Sequence, residues 1–503
     1  MEFTARTAIA LLLSLAVSSS FLCGGVQGGR HYHHHTRHTR HNSAHPPSAH
    51  APGPASGRRH APPPHARPVS PPAPPPSSSG SGGYPTPGTA SPEPAPAPAA
   101  GAAGNVYDVV EDFGAVGDGV TDDTDAIKTA WDTACQDDGD SVVLAAAGYS
   151  FLVHSTVFTG PCQGSVTIQL DGTIVAPSDP DKWLGNKRNW LLFYQAHGMS
   201  LQGAGLIDGK GQKWWELPCK SQNGHGGSSG HGASCDSPVA LRFFMTNNVT
   251  VQGLKVQNSS EFHIRFDNCH GVVASGLSIR SPALSPNTDG IHVENSTDVL
   301  ITNTAVSNGD DCVSIGAGTL NMHVENLTCG PGGHGISIGS LGKQGSRACV
   351  ANVTVRNAVI RHSDNGVRIK TWQGGSGAVS AVSFENVRMD AVRNPIIIDQ
   401  YYCLSKSCEN ATSAVFVNGV SYAGIRGTYD ARTPPIHFGC SDAVPCTNIT
   451  LSDVELLPAS GETIDDPFCW NVYGTAATPT VPPVSCLMEG VPSRNDNSSL
   501  KCY

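Results

Sequence analysis

Beyond Val166 the chain repeats one arrangement of apolar positions: apolar, x, apolar, x, x, apolar, x, apolar. It is written as Val249-x-Val251-x-x-Leu254-x-Val256, then from Val272 to Ile279, Val299 to Val306, Met322 to Cys329, Val353 to Ile360, Val382 to Met389, Val415 to Tyr422 and Ile449 to Leu456. Successive copies start about 23 to 34 residues apart, a spacing that varies as turn insertions make it vary. Alternation within each copy predicts a strand with one face inside, and copies that stack would share one long apolar interior. The predicted architecture is all-β, a right-handed parallel β-helix. A β-sandwich would need antiparallel hairpins of shorter period, and a leucine-rich repeat would keep a stricter Leu/Asn frame.

Ahead of the repeats, Val106 to Val109 reads as a strand and Phe113 to Gly119 as a glycine-rich turn, with Thr121 to Thr124 as a helix cap. The turn is not a phosphate loop, because no Gly-Lys-Ser/Thr closes it. Ile127, Ala130, Trp131 and Ala134 then share one face of a short helix ending near Cys135, which would cover the open end of the solenoid. Inside the repeats, Lys210 to Asp236, with Trp214 and Trp215, breaks the pattern and is expected to be a loop bordering a cleft. The folded part is placed at residues 105–503.

Residues 1–29 hold Arg6, the apolar run Ala8 to Leu22 and small residues to Gly29, the pattern of a secretory signal peptide, too short to span a bilayer. Residues 30–104 are rich in His, Pro, Ala and Ser with almost no large apolar side chain, so the segment is expected to be disordered with polyproline II character. It is net positive while the chain as a whole carries −10, and its histidines gain charge near pH ~6. Beside the plain reading as a solvated spacer, it could tether the protein to a polyanion or bind metal ions. Its Ala-Pro, Ser-Pro and Thr-Pro dipeptides resemble the glycosylated modules of plant arabinogalactan proteins.

Sixteen cysteines suit an oxidising compartment. Loss of Cys23 with the signal leaves an odd number, so one thiol should stay free or bond another chain. Cys403 with Cys408, Cys440 with Cys446, Cys219 with Cys235 and Cys312 with Cys329 are candidate local bridges. No Cys-x-x-Cys pair suggests structural zinc. Sequons at Asn248, Asn258, Asn295, Asn326, Asn352, Asn410, Asn448 and Asn497 fit a secreted glycoprotein, although several fall at coil breaks where Asn has a structural role. Few Lys and Arg, low aromatic content and abundant Gly and Pro fit short strands and tight turns. A monomer outside the membrane is expected, with no nucleic-acid partner and no cofactor or metal.

Four short islands carry the candidate chemistry: Asn287-Thr288-Asp289-Gly290, Gly309-Asp310-Asp311-Cys312, Gly333-His334-Gly335 and Arg368-Ile369-Lys370. One island per coil, with coils about 4.8 Å apart, would bring three carboxylates, an imidazole and two cations to one face. Such clustered carboxylates either hold a hard cation or split a glycosidic bond by proton transfer. No Asp-x-Asp-x-Asp-Gly loop supports the first. Like charges this close cannot all ionise, so one aspartate should keep a proton, with His334 beside it. Arg368 and Lys370, two apart on a strand, would face the cleft together and grip a carboxylate, with Lys343, Arg265 and Arg393 as helpers. Gly335-Ile336-Ser337-Ile338-Gly339 mimics an esterase nucleophile elbow, but nothing after it is helical, so Ser337 is read as a strand residue.

In this order and spacing, the four islands and the Gly-Asp-Gly-x-Thr-Asp-Asp opening resemble the signature set of the polygalacturonases, pectin-cleaving glycoside hydrolases. The resemblance covers the chain from about residue 105 onward. It implies hydrolysis of α-1,4 links between galacturonic acid units of pectin with inversion. Asp310 resembles the general acid, Asp289 and Asp311 the pair that activates water, and His334 a partner of the acid. Asn287, Arg368, Lys370 and Tyr402 resemble substrate-binding residues, with Tyr401 as the alternative to Tyr402. Polygalacturonate is then the expected partner, in the plant cell wall, with residues 30–104 a possible contact to the wall matrix. A lyase on the same scaffold, or an inactive wall-binding protein, are the competing readings.

Overall fold

The structure, a computed structural model, describes residues 104–217, 237–404, 408, 410–461, 465–490 and 492. The signal segment, the extension up to residue 103, the Cys219–Cys235 pairing and the sequon at Asn497 lie outside them.

One face of the solenoid is a sheet of eleven strands in chain order: Thr156–Thr159, Asn189–Tyr194, Val239–Phe244, Ile264–Asp267, Ile291–Glu294, Val313–Ile315, Ile336–Leu341, Asn365–Thr371, Asn394–Asp399, Ile436–Gly439 and Phe468–Trp470. Neighbours pair in parallel, each strand with the equivalent strand of the coils above and below. A second sheet of twenty strands covers the remaining sides. Chain-order stacking of parallel strands makes this a parallel β-helix, right-handed as connections between parallel strands of one sheet are. Ten steps of about 4.8 Å put roughly 50 Å between the first and last strands of the eleven.

The repeat owes its shape to a corner. In Thr297–Ser307, Thr319–Cys329, Arg347–Arg361 and Ser376–Val392 the two x positions in the middle of the pattern end in Asn303, Asn326, Asn357 and Asn386, with φ of 52°, 55°, 56° and 53°. Asn tolerates the left-handed region better than other side chains with a Cβ, and the bend turns the second apolar pair back toward the interior. The corner amides stack: Asn326 Nδ2 donates to Asn303 Oδ1 at 3.1 Å and Asn386 Nδ2 to Asn357 Oδ1 at 2.7 Å. One expected copy is out of frame. Val420, not Val415, takes the place of Val382 and leads on to Ile449. Val415 and Val417 are buried too and mimic the pattern, but the corner here is Gly424, φ 66°.

Inside, like side chains lie over like. Phe158, Phe193, Phe243 and Phe266 stack with ring centroids 4.9, 5.0 and 5.1 Å apart. The same interior row continues as Val293, Ile315, Ile338, Ile369, Ile398 and Phe438. The helix Thr124–Cys135 buries Ile127, Ala130, Trp131, Ala134 and Cys135 and closes the end as expected, with Trp131 edge-on to Phe158 and Phe193. The stretch Thr121 to Thr124 opens the helix as expected, with Asp123 at the cap position and Asp122 accepting from the Thr124 amide at 3.0 Å. Asp123 makes no side-chain cap bond, because its carboxylate accepts from the amides of Val116 and Gly117 at 2.7 and 3.2 Å and so fixes the glycine-rich turn.

Cys312–Cys329, Cys403–Cys408 and Cys440–Cys446 are bridged as expected, joined by Cys135–Cys162 and Cys469–Cys486. Among the described residues Cys269 is free and buried, and burial pushes its thiol up to about 11.

Candidate active site

Asp289 and Asp311 each stand two residues ahead of strand positions that pair directly, Ile291 with Val313, and the Gly290 amide donates to the Asp311 carbonyl at 2.9 Å. They are therefore equivalent positions on adjacent coils, and Asp310 enters from the turn beside them. His334 follows one coil on, its amide donating to the Asp310 carbonyl at 3.0 Å. Gly333 permits that approach: φ is 66°, and a Cβ there would lie 2.2 Å from the Asp310 carbonyl oxygen. Asn308, buried, fixes both aspartate turns by donating to the carbonyls of Thr288 and Asp311 at 2.7 and 2.9 Å.

The three carboxylates meet different surroundings. Burial opposes ionisation of Asp311, but Arg368 and Lys370 overcome it and hold the carboxyl well below the usual range. Arg368 Nη2 lies 2.7 Å from Oδ1 and Lys370 Nζ 2.8 Å from Oδ2, and the Ser337 hydroxyl donates to Oδ1 at 2.7 Å. Asp289 is as deeply buried with no cation in contact. Burial first, then the charges of Asp310 and Asp311, raise it well above its ordinary value, and a hydrogen bond from Ser314 works the other way. Asp310 is the most accessible of the three. Burial and the Asp311 charge raise it, but its bond with His334 Nδ1, at 3.0 Å, prevails and lowers it. Asn287 Nδ2 reaches its other oxygen at 3.5 Å.

Arg368 and Lys370 lie on one strand face as predicted, but they are not free cations over a cleft. Each is less than a tenth exposed, and both are committed to Asp311. The register explains this: Arg368 pairs with Ser337, which pairs with Ser314, so the guanidinium stands directly beside the turn of the earlier coil, with Nε donating to Ser337 Oγ at 2.9 Å. Tyr402 is the tyrosine brought to this group. Lys370 Nζ lies 5.6 Å from its ring centroid, and Trp372 packs edge-on at 5.5 Å. Tyr401 instead accepts from the Asp442 amide at its hydroxyl. The expected helpers are occupied: Arg265 pairs with Glu294, Lys343 sits 5.7 Å from the Trp372 ring, and Arg393 is 4.0 Å from Asp364.

Ser337, read from sequence only as a strand residue, links Arg368 to Asp311. Ser314 and His292 also belong to the site and were not singled out. All occupy the outward row of the eleven-stranded sheet, Arg242, Arg265, His292, Ser314, Ser337, Arg368, a row that aligning the copies by register would have picked out.

Chemically, the group offers a protonated carboxyl, a fixed anion and an accessible carboxyl sharing a hydrogen bond with imidazole. Ligand atoms of Asp310, Asp311 and His334 lie within 4.8 Å of one another. Both Asp311 oxygens are already engaged by cations, so a metal ion would have to displace them. Proton transfer is the better match.

Comparison with known proteins agrees. Residues 135–478 match glycosyl hydrolases family 28. A polygalacturonase of Chamaecyparis obtusa is 46% identical over 357 residues, 70% of this chain and 67% of that protein. Polygalacturonase-2 of Solanum lycopersicum is 41% identical over 377 residues, 75% and 80% of the two chains. Among solved structures, the endo-xylogalacturonan hydrolase of Aspergillus tubingensis superposes with a TM-score of 0.60 at 25% identity, covering 74% of this chain and 100% of that one. The chain is a glycoside hydrolase and belongs to glycosyl hydrolases family 28.

Proposed function

We propose that the protein is a secreted polygalacturonase that hydrolyses α-1,4 links of homogalacturonan in the plant cell wall with inversion. The observation that carries the reading is the division of labour among three aspartates on neighbouring coils. Inversion needs one carboxylic acid to protonate the leaving oxygen and one carboxylate to activate water from the opposite side, about 6.5–9.5 Å apart. Asp310, accessible and paired with His334, is the acid. Asp289 is the base, and Asp311, with both oxygens held by cations, orients the water and supplies fixed negative charge toward an oxocarbenium-like transition state. In the free enzyme the proton favours Asp289, so catalysis begins once that proton has moved to Asp310 or its surroundings. The remaining N–H donors of Arg368 and Lys370, with Asn287 and Tyr402, receive the galacturonate carboxylate.

Residues 1–29 act as the export signal and 30–104 as an extension contacting the wall matrix. The test is release of reducing ends from polygalacturonate, with no gain of ultraviolet absorbance, which a lyase product would give. Asp310→Asn should lower kcat by about 10²–10⁴-fold. The loss should be largely restored on an aryl galacturonide whose leaving group needs no proton. An Asp310→Asn enzyme equally impaired on both substrates would take the acid role away from this residue.

A further inference from the structure

The two peptides that flank Asp289 are both tied to neighbouring coils. Asn308 Nδ2 donates to the Thr288 carbonyl at 2.7 Å, and the Gly290 amide donates to the Asp311 carbonyl at 2.9 Å. The remaining handle is the Asp289 carbonyl oxygen, and one residue of the preceding coil takes it twice. The His263 amide donates to it at 2.8 Å, and His263 Nδ1 lies 2.9 Å from the same oxygen. Peptides are planar, so with both planes held the direction of the Asp289 Cα–Cβ bond is held as well.

The imidazole is more than backbone satisfaction requires. A buried carbonyl needs a partner, and the amide of the same residue already supplies one. The equivalent places, one residue ahead of Leu241, Ile291, Val313 and Ile336, hold Ala240, Gly290, Cys312 and Gly335. Among these coils the imidazole stands on the one that precedes Asp289. Its ring is fully buried, and burial pushes it down to about 4, so at neutral pH it carries a single proton. A carbonyl only accepts, which places that proton on Nδ1. Nε2 is then bare and accepts from the Ser281 hydroxyl, 2.8 Å away. Without that hydroxyl, a proton on Nε2 would find the Arg280 carbonyl at 3.4 Å and leave Nδ1 with nothing to donate.

We propose that His263 is a positioning residue for the reaction: a neutral imidazole, kept in its Nδ1–H form by Ser281, that pins the Asp289 peptide and so the place of its carboxyl. It touches no reacting atom. That role depends on the hydrolytic reading, in which Asp289 is the base. A base must be held within about 0.5 Å of its productive place, and a displacement of about 1 Å costs roughly 10²-fold in rate.

The test compares two amides that each mimic half of the ring, in full-length enzyme acting on polygalacturonate. His263→Asn puts a donor near the Nδ1 position and gives up the Ser281 bond. His263→Gln reaches the Nε2 position instead and leaves the Asp289 carbonyl with one donor. Both lose the packing of the ring, so their Tm values should fall alike. His263→Asn should lower kcat by no more than about fivefold, and His263→Gln by about 10²-fold. KM should stay within about twofold in both, because Arg368 and Lys370 are untouched. Equal losses of kcat in the two variants would make His263 a packing residue and overturn the inference. Ser281→Ala keeps the imidazole and removes only a part-buried hydroxyl; it should lower kcat about fivefold, and full activity would also overturn the inference. One readout needs no turnover. In nitrogen NMR of labelled histidine, the ring resonance lost in His263→Asn should report a proton on Nδ1 in the wild type at neutral pH, and a proton on Nε2 would overturn the assignment. Wild-type enzyme that releases no reducing ends would refute the polygalacturonase reading and leave the NMR result standing.

Discussion

Three aspartates of identical chemistry acquire three characters from what touches them. Asp311 is neutralised by Arg368 and Lys370, Asp310 shares a hydrogen bond with His334, and Asp289 is buried beside two other carboxylates. A carboxyl whose folded pKa is raised destabilises the fold once pH exceeds its unfolded value, and the penalty is complete above the folded value. Asp289→Asn should therefore raise Tm, by little near pH ~4 and by more toward neutrality, while removing the base. A Tm difference flat in pH would show that Asp289 is not strained. The islands, and hence these aspartates, were legible in the sequence because each contains several chemically unusual residues close together. Ser314, Ser337 and His292 were not, since a lone polar residue among Val and Ile looks like any outward strand position until register shows its neighbours. The pairing of both cations with Asp311 was hidden for the same reason.

At the scale of the element, the repeat was readable because side-chain alternation and the corner spacing are both written in residue type. The frame slipped at Val415 because two valines ahead of the corner reproduce the spacing, and Gly424 replaces the Asn that marks it elsewhere. The helix was found from its apolar face and its cap from Thr121 to Thr124, while the partners of Asp122 and Asp123 were not readable because a carboxylate has no way of announcing which amides it will meet. Coils support each other only through their neighbours, so damage to one interior row should be local in origin and wide in effect. Phe243→Ala interrupts the aromatic stack between Phe193 and Phe266 and should cost about 3–5 kcal/mol in urea unfolding. The exposed Val273→Ala should change stability by no more than about 0.5 kcal/mol.

The whole molecule carries net negative charge, as does the proposed substrate. Exposed charges more than a Debye length away, about 10 Å at 0.1 M salt, are screened, whereas buried pairs are screened much less. Moderate salt should then weaken general repulsion more than it weakens Arg368 and Lys370, lowering KM for polygalacturonate by about twofold while kcat holds. A KM that climbs steeply with salt would show that exposed cations hold the polymer instead.

Cys269 bears on how the disulfides keep their pairing. A thiol enclosed beneath the outer wall, and reluctant to ionise, can neither attack the five described bridges nor join a second chain. Iodoacetamide should leave it unlabelled in native enzyme at neutral pH and alkylate it after denaturation, as peptide mass mapping would reveal. Labelling of the native enzyme would mean that the wall opens at this coil.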